Sequence, residues 1–519
     1  MAVKTIIKTS EYHDSVSLML VARELAKLDG VEDAAVVMAT DANKSILAEA
    51  DMLTADAKKA TANDLVIAVK ASSDKLAEQA LAEADGLFAK SVGGQEDEEF
   101  QPKTIRGAVS SHPNANVAVV SVAGRYAADE AWEALTRGLH VLLFSDNVSL
   151  EDEIALKKYA RDHGLLLMGP GAGTAIINNV ALGFANVIPA GKVGIVSAAG
   201  TGLQEVSTLV AKNGLGITQG IGTGGRDLKK EVGGIMMLEG LKALQDDPAT
   251  EVIALVSKPP AAEVVQLILD QVAKSKKPTV VCFMGGEMEP VKKVSNAIAA
   301  RTLQEGGLLA AKEAGAKIGD IDKMIAKESE QLLKQAAELR KKLKSGQRYL
   351  RGLFSGGTLC YEAQVIWRDM LSSPVYSNAP LPGEPALKDS TKSQEHTTVD
   401  LGEEEFTVGR PHPMIDNDLR IRRLLQEAED PEVAVIIMDV VIGYGAHPDP
   451  AAELGPAVED ARQIAKKDDR ELYFVASVTG TEQDPQGLTH TINLLKRSGV
   501  IVCESNAAAA RLTAMIISE

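Results

Sequence analysis

The sequence predicts an α/β chain in which parallel sheets dominate. Three observations point there. Short Val/Ile/Leu runs alternate with stretches of helical period along most of the chain, the pattern of strands covered by helices on both faces. Aromatic residues make up 3% of the chain against 45% hydrophobic residues, so the interiors must be built mainly from Ala, Val, Leu and Ile. A strand, a glycine turn and a helix near residue 195 return near residue 350 with their neighbours in the same order, which marks an internal duplication. At 519 residues the chain exceeds what one core supports and divides into several domains.

Residues 1–90 read as a small α+β unit. Thr5-Ile6-Ile7-Lys8 is a short strand, residues 15–28 carry helical spacing, residues 33–38 and 65–69 are strand-like, and residues 75–84 form a second amphipathic helix. The order βαββαβ, or a near relative, predicts a ferredoxin-like sandwich. His13, in the first loop after a strand, reads either as a ligand contact or as part of a helix cap with Asp14 or Ser15. Residues 91–104 hold the acidic run Gln95-Glu96-Asp97-Glu98-Glu99 and read as a solvated linker.

Residues 105–190 follow a strand–helix rhythm, with strands at 117–122, 140–144 and 165–170. Ligands of such sheets gather at the carboxyl ends of the strands. Arg125, at one such end, reads as an anion contact or as a surface ion pair. Residues 191–322 form the first copy of the duplicated unit. Val193-Gly194-Ile195-Val196 is its first strand, and Gly200-Thr201-Gly202 opens its first helix. Gly224-Gly225-Arg226-Asp227 forms its second glycine loop, and Lys258 lies at the end of its strand 251–256. Residues 323–344 are a charged connecting helix. Residues 345–519 form the second copy: Ser355-Gly356-Gly357-Thr358 answers Ala198-Ala199-Gly200-Thr201, Glu362 answers Glu205, and Gly409-Arg410 answers Gly225-Arg226. A Pro-rich polar insertion at 372–398 interrupts this copy. Two such halves predict a pair of flavodoxin-like domains whose glycine loops share a cleft. Backbone N–H groups at a helix start have no intrahelical acceptor and favour an anion.

The net charge is −17 with no basic block, which argues against nucleic acid and against an anionic membrane surface. Any anionic ligand must be held by locally placed arginines and amides. Three cysteines without short spacing, Cys282, Cys360 and Cys503, argue against a disulfide framework and against a metal site. No signal segment and no apolar run of membrane length are present, so a soluble cytoplasmic protein is expected.

In module order, residues 105–519 resemble the succinyl-CoA synthetases, in which a Rossmann-like CoA-binding domain precedes flavodoxin-like ligase domains. A more specific resemblance is to the FdrA family. It is carried by Asp14-Ser15-Val16-Ser17-Leu18-Met19, Phe144-Ser145-Asp146-Asn147-Val148, Gly224-Gly225-Arg226-Asp227-Leu228, Ser257-Lys258-Pro259-Pro260, Val408-Gly409-Arg410-Pro411-His412-Pro413-Met414-Ile415-Asp416 and Val478-Thr479-Gly480-Thr481-Glu482. FdrA proteins are acyl-CoA synthetase-like, and some resemble the large subunit of an oxamate carbamoyltransferase of allantoin breakdown. The resemblance implies a transferase that interconverts oxalurate plus phosphate with oxamate plus carbamoyl phosphate, together with partner subunits. Where that family usually reads Met-Gly-Pro-Asp-Cys-Gly-Thr, this chain reads Met168-Gly169-Pro170-Gly171-Ala172-Gly173-Thr174.

Two activities are weighed. A nucleotide-driven CoA ligase relays a phosphoryl group through a histidine, yet no histidine lies between residues 164 and 395. CoA or a nucleotide is implied only under that reading, and no other cofactor is. Carbamoyl transfer between nitrogen and phosphate needs fixed oxyanion donors and no covalent intermediate. It is the preferred reading, with the acid–CoA ligase as the alternative. Arg226 and Arg410 are then expected to bind oxyanions, and His412 to carry a proton or, between two prolines, to stiffen a turn. Asp416 is expected to orient His412. Gly200, Thr201, Gly202, Gly224, Gly225, Ser355, Gly356, Gly357, Thr358 and Lys258 are expected to hold phosphate or the anionic, oxamate-like substrate.

Overall fold

A computed structural model describes residues 2–11, 13, 15–92, 102–407 and 410–518. The acidic run at 95–99, and Tyr12, Asp14 and Gly409, lie outside the described residues. The chain divides into two compact units, Met1–Gln101 with Gly402–Asp416, and Pro102–Leu401 with Asn417–Glu519.

The first unit is built from β1 (Ala2–Lys8), α1 (Ser15–Ala26), β2 (Val31–Met38), α2 (Asp41–Glu49), α3 (Ala55–Lys59), β3 (Leu65–Ala71) and α4 (Asp74–Val92). Its antiparallel sheet runs β1-β3-β2. The near-continuous apolar run Leu65-Val66-Ile67-Ala68-Val69 makes β3 the buried centre, and α1 and α4 cover one face through Leu18, Val21, Leu25, Ala77 and Leu81. This is the ferredoxin-like α+β order up to its last helix. Among the described residues the expected fourth strand does not follow α4, and two helices, capped by Thr40 and Thr54, fill the β2–β3 connection. The His13 ring stacks on Phe88 at 4.2 Å and bonds Glu11 at 2.9 Å.

The second unit opens with α5 (Ile105–Ser111), β4 (Val117–Val120), α6 (Gly124–Leu135), β5 (His140–Leu143), α7 (Leu150–Asp162) and β6 (Leu167–Met168), whose three strands form a small parallel sheet. Next come β7 (Thr174–Ile177), β8 (Val180–Gly183), β9 (Ala190–Ser197), α8 (Gly200–Lys212), β10 (Ile217–Gly222), α9 (Ile235–Asp246), β11 (Val252–Ser257), α10 (Ala262–Val272), β12 (Thr279–Phe283), α11 (Glu289–Lys292), β13 (Ala297–Ala299) and α12 (Leu303–Glu313). After the long helix α13 (Ile321–Arg340) follow β14 (Tyr349–Phe354), α14 (Gly357–Met370), β15 (Val375–Ser377), β16 (His396–Asp400), α15 (Glu404–Thr407), α16 (Asp418–Glu429), β17 (Val433–Val441), α17 (Pro450–Lys467), β18 (Tyr473–Thr479), α18 (Leu488–Arg497), β19 (Val500–Cys503) and α19 (Asn506–Ile517). Of these, α15 belongs to the first unit.

The duplication is visible in the strand order. The first sheet runs β13-β12-β11-β9-β10-β7-β8 and the second β15-β16-β14-β17-β18-β19. Reversing the first aligns β10-β9-β11-β12-β13 with β16-β14-β17-β18-β19, strand for strand, and the pairs within both sets are parallel.

Two expected boundaries are corrected. The division at residue 190 cuts through a sheet, because the hairpin β7–β8 pairs antiparallel with β10. The stretch 372–398 overruns the longer connection between α14 and β16: it carries the extra strand β15 and takes in the start of β16, the counterpart of β10. Its polar composition conceals this, since His396, Thr397 and Thr398 are buried in a strand whose neighbours satisfy their polar groups.

The halves meet at the N-termini of α8 and α14. A Cβ added at Gly202 would lie 3.0 Å from Thr358 Cγ2, and one at Gly356 would lie 2.7 Å from Thr201 Cγ2 and 3.0 Å from Asp439 Oδ2. Only glycine allows that approach. Gly356→Ala is expected to lower stability by about 1–3 kcal/mol through overpacking. Gly346→Ala, at a position with no atom within 4 Å, serves as the control and should change little. Urea unfolding of both variants checks this.

Candidate functional site

Strands β9 and β10 end side by side, and the turn Ala198-Ala199 leads directly into α8. Ala199, at the N-cap, makes no side-chain hydrogen bond, so no side chain at the cap satisfies the first-turn amides of α8. A cavity of about 20 Å³ lies there, lined by Gly171, Ala172, Gly173 and Thr174, by Ser197, Ala198, Ala199 and Gly200, and by Gly222, Gly224 and Gly225. Every lining residue is small, so main chain rather than side chain faces the space. A volume of this order admits one or two water-sized atoms. One oxygen of a phosphate or carboxylate fits inside, with the rest of the ion at the mouth, where Gly225 is exposed. The positive end of α8 favours such an occupant. The departure from the Asp-Cys pair of the resembled family, Gly171-Ala172, falls on this wall and leaves it without charge or thiol.

The second glycine turn differs. Ser355 N and Gly356 N donate to the two oxygens of Asp439, each at 2.7 Å, and Ser355 Oγ donates to the same carboxylate at 3.0 Å. Asp439 is fully buried and paired with Arg420, which is also buried. A Cβ at Gly357 would collide with the carboxylate of Asp400. The turn expected to bind phosphate through Ser355, Gly356, Gly357 and Thr358 is therefore filled by an anion from the chain itself. Asp439 is the charged residue of the otherwise apolar strand Val433–Val441, and that anomaly was the sequence signal for it.

Arg226 does not line the α8 cavity. Its Nε lies 2.8 Å from Glu153 Oε2 and its Nη2 donates to Val148 O at 2.8 Å. Asp227 is buried, accepts from Lys157 Nζ at 2.8 Å, and caps α9 by accepting from Met236 N and Met237 N. Lys157, wholly buried, also bonds Glu153 at 2.9 Å and Thr223 O at 3.0 Å. This four-residue ion network fixes the loop that carries Gly224 and Gly225. Lys258 lies over the Tyr361 ring at 5.4 Å, outside the cavity lining. Arg410, His412 and Asp416 fall in the segment described with the first unit. There the main chain turns, with Ile415 N and Asp416 N donating to His412 O, and Met414 N bonds His412 Nδ1 at 3.2 Å. Arg125 lies over the Tyr126 ring at 4.9 Å. A larger cavity, about 200 Å³, is lined by Gln364, Arg368 and Glu384 toward the C-terminal end of α14, and none of the expected site residues lines it.

A fold of two ligase-type halves that meet at their first helix starts defines the class as succinyl-CoA synthetase-like. Family models agree: the CoA-ligase model matches residues 353–516 and the CoA binding domain model residues 189–286. The CoA-binding region expected at 105–190 is thus matched further along the chain. A third model, "AllF, heavy metal-associated domain", matches residues 1–103. The chain is 44% identical over 507 residues to "Uncharacterized protein YahF" of Escherichia coli (strain K12), covering 98% of this chain and 97% of that one. It belongs to the YahF family.

More distant relatives are "ADP-forming sulfoacetate-CoA ligase subunit SauD" of Bilophila wadsworthia (26% identical; 42% of this chain, 75% of that one) and "Succinate--CoA ligase [ADP-forming] subunit alpha 1" of Archaeoglobus fulgidus (25%; 44% and 80%).

Among the described residues, the metal in the name of the N-terminal model finds no fitting donor set. Residues 1–103 contain no cysteine, and His13 is already engaged by Glu11 and Phe88. Among the described residues no group of three or more His, Cys, Asp or Glu side chains is arranged to hold a metal ion. Among them, too, no helix is long and apolar enough to cross a membrane.

The ion network yields a test. Lys157→Met leaves Glu153 and Asp227 buried without their shared ammonium. The expected loss is about 3–5 kcal/mol, as for breaking a buried ion pair. Urea denaturation measures the loss.

Proposed function

We propose that the chain is one subunit of an acid–CoA ligase-type enzyme and that its α8 pocket holds the phosphate of an acyl phosphate. The observation that carries this reading is the carboxylate-free turn at the start of α8, lined by small residues alone, beside a second turn already filled by Asp439. The ligase and CoA-binding matches support it, as do relatives named as subunits of ligases. In the step concerned, the CoA thiolate attacks the acyl carbon, the carbon–oxygen bond to phosphate breaks, and phosphate leaves carrying the electron pair. Amides at the α8 N-terminus stabilise the charge gathering on that phosphate. No phosphorylated residue of this chain takes part, in keeping with the histidine-free stretch between residues 164 and 395.

A second reading is favoured by that same stretch and by the AllF match at residues 1–103. Carbamoyl phosphate is also a mixed anhydride with phosphate and suits the same pocket; the acceptor is then an amide nitrogen such as that of oxamate. Under it the FdrA-type resemblance would give Arg410 an oxyanion-binding role, His412 a proton-carrying one and Asp416 an orienting one, while Arg226, held by Glu153, would fix the loop of Gly224 and Gly225 rather than bind the oxyanion.

Gly225→Glu tests the pocket. A Cβ there meets only Ala198 O, at 3.9 Å, so the fold tolerates it. A carboxylate at the mouth should weaken inorganic phosphate binding at least tenfold by calorimetry, as expected for like charges about 5 Å apart. Unchanged binding, or none by the native protein, removes the site. With partner subunits added, CoA-dependent ATP hydrolysis supports the ligase reading, and phosphorolysis of carbamoyl amides supports the carbamoyl reading.

A further inference from the structure

Behind the helix ends, two buried glutamates meet one asparagine. Glu205 on α8 and Glu362 on α14 hold equivalent places in the two halves, and each is 1% exposed. Asn506, the first residue of α19 and 1% exposed, reaches both. Its backbone N donates to Glu205 Oε1 at 3.2 Å, and its Nδ2 donates to Glu362 Oε2 at 2.8 Å and to Leu359 O at 2.9 Å. The outer oxygens are held from further elements. Glu205 Oε2 accepts from Thr479 Oγ1 at 2.5 Å, and Glu362 Oε1 accepts from Leu303 N, at the start of α12, at 2.6 Å. Five elements, α8, α12, α14, α19 and β18, are thereby tied at one point.

Each of the four carboxylate oxygens accepts one hydrogen bond, so the two acids are satisfied in donors but not in charge. Asn506 Oδ1 is buried and has no donor. The nearby cation, Arg511 on α19, spends its Nη2 on Gln304 Oε1 and Glu328 Oε2, both at 2.6 Å. Two buried carboxylates then share one amide without a dedicated counter-charge, an arrangement that favours retention of one proton. Adding that proton removes one of the two buried charges.

We propose that Glu362 is a positioning residue that keeps its proton up to neutrality, and that loss of this proton loosens the joint between the two ligase-type halves. Burial first, and the charge of Glu205 after it, push the Glu362 carboxyl up to about 7, while Asn506, Leu303 N and Arg511 act the other way. The remaining groups that bear on the cluster are Glu305 on α12 and Cys282 on β12. The Cys282 thiol is held well above its usual range by burial and by the charges of Glu362 and Glu305, so it stays neutral.

The sign follows from linkage. The folded chain keeps the proton up to about 7, while the unfolded chain releases it near 4.5. Glu362 therefore lowers the folding equilibrium constant by about tenfold for each pH unit between those values, and by no more above them. The test uses the full chain and no ligand, so it stands apart from the functional reading.

Urea unfolding from pH 5 to 9 should show the stability difference between wild type and Glu362→Gln changing through neutrality and levelling above it. A pH-independent difference overturns the proposal. Infrared difference spectra of the wild type give a second readout that does not depend on the variant folding. A protonated-carboxyl stretch present at pH 6 and lost by pH 8.5 supports the assignment, and a band absent at pH 6 overturns it. Glu205→Gln should move that titration to lower pH, and an unmoved midpoint counts against the coupling.

Discussion

Two helix starts pressed against each other set the terms for the rest of this molecule. Helices α8 and α14 approach until the methyl of Thr201 touches Gly356 and that of Thr358 touches Gly202. Each end carries the partial positive charge of its helix, and two such ends repel. Asp439 and Asp400 relieve the repulsion on the α14 side alone. Asp439 takes the Ser355 and Gly356 amides, and Arg420 balances the carboxylate from behind. On the α8 side no carboxylate intervenes. A duplicated unit has thus become two unlike turns, one closed by its own acid and one with no carboxylate bonded to it among the described residues.

That asymmetry needs halves that cannot drift, and a network of buried polar groups between them provides this. Asn186, from the stretch after β8, donates to Ile442 O and to Asp484 Oδ2, and Val187 N donates to Asp484 Oδ1. Thr481 returns a bond to Val187 O. Lys212, at the end of α8, donates to Val478 O. Directional bonds in a buried interface carry a heavy penalty if the register slips, because each broken one leaves a desolvated group unpaired. The four-residue ion network around Lys157 does the same for the loop at 223–225.

Much of the fold was legible because its signals are local and repeated. The apolar runs of β9, β11, β14 and β17 announce themselves, and Glu362 falling where Glu205 falls pointed to the pseudo-equivalent helices. What escaped was polar or short. His396-Thr397-Thr398-Val399-Asp400 does not look like an interior strand, because its burial depends on partners distant in sequence. The hairpin β7–β8 was concealed for a similar reason, its Asn178-Asn179 turn following only four strand residues. At the site, the glycine turn at α8 was read from backbone chemistry alone. Arg226 was read as a free guanidinium because nothing near it in sequence reveals Glu153, which a different helix delivers. Asp439, an acid amid Val, Ile and Met, is the kind of residue that has to be explained by what it binds.

The β7–β8 hairpin has a practical bearing. It covers the flank of β10 with a second antiparallel layer of main-chain bonds. A recombinant fragment begun at residue 190, where the sequence alone would place the cut, strips that cover and bares a row of unsatisfied amides and carbonyls. Bared flanks of that kind recruit other chains. Insolubility of such a fragment would reflect an exposed edge rather than an unstable core, and a start point upstream of Thr174 avoids it.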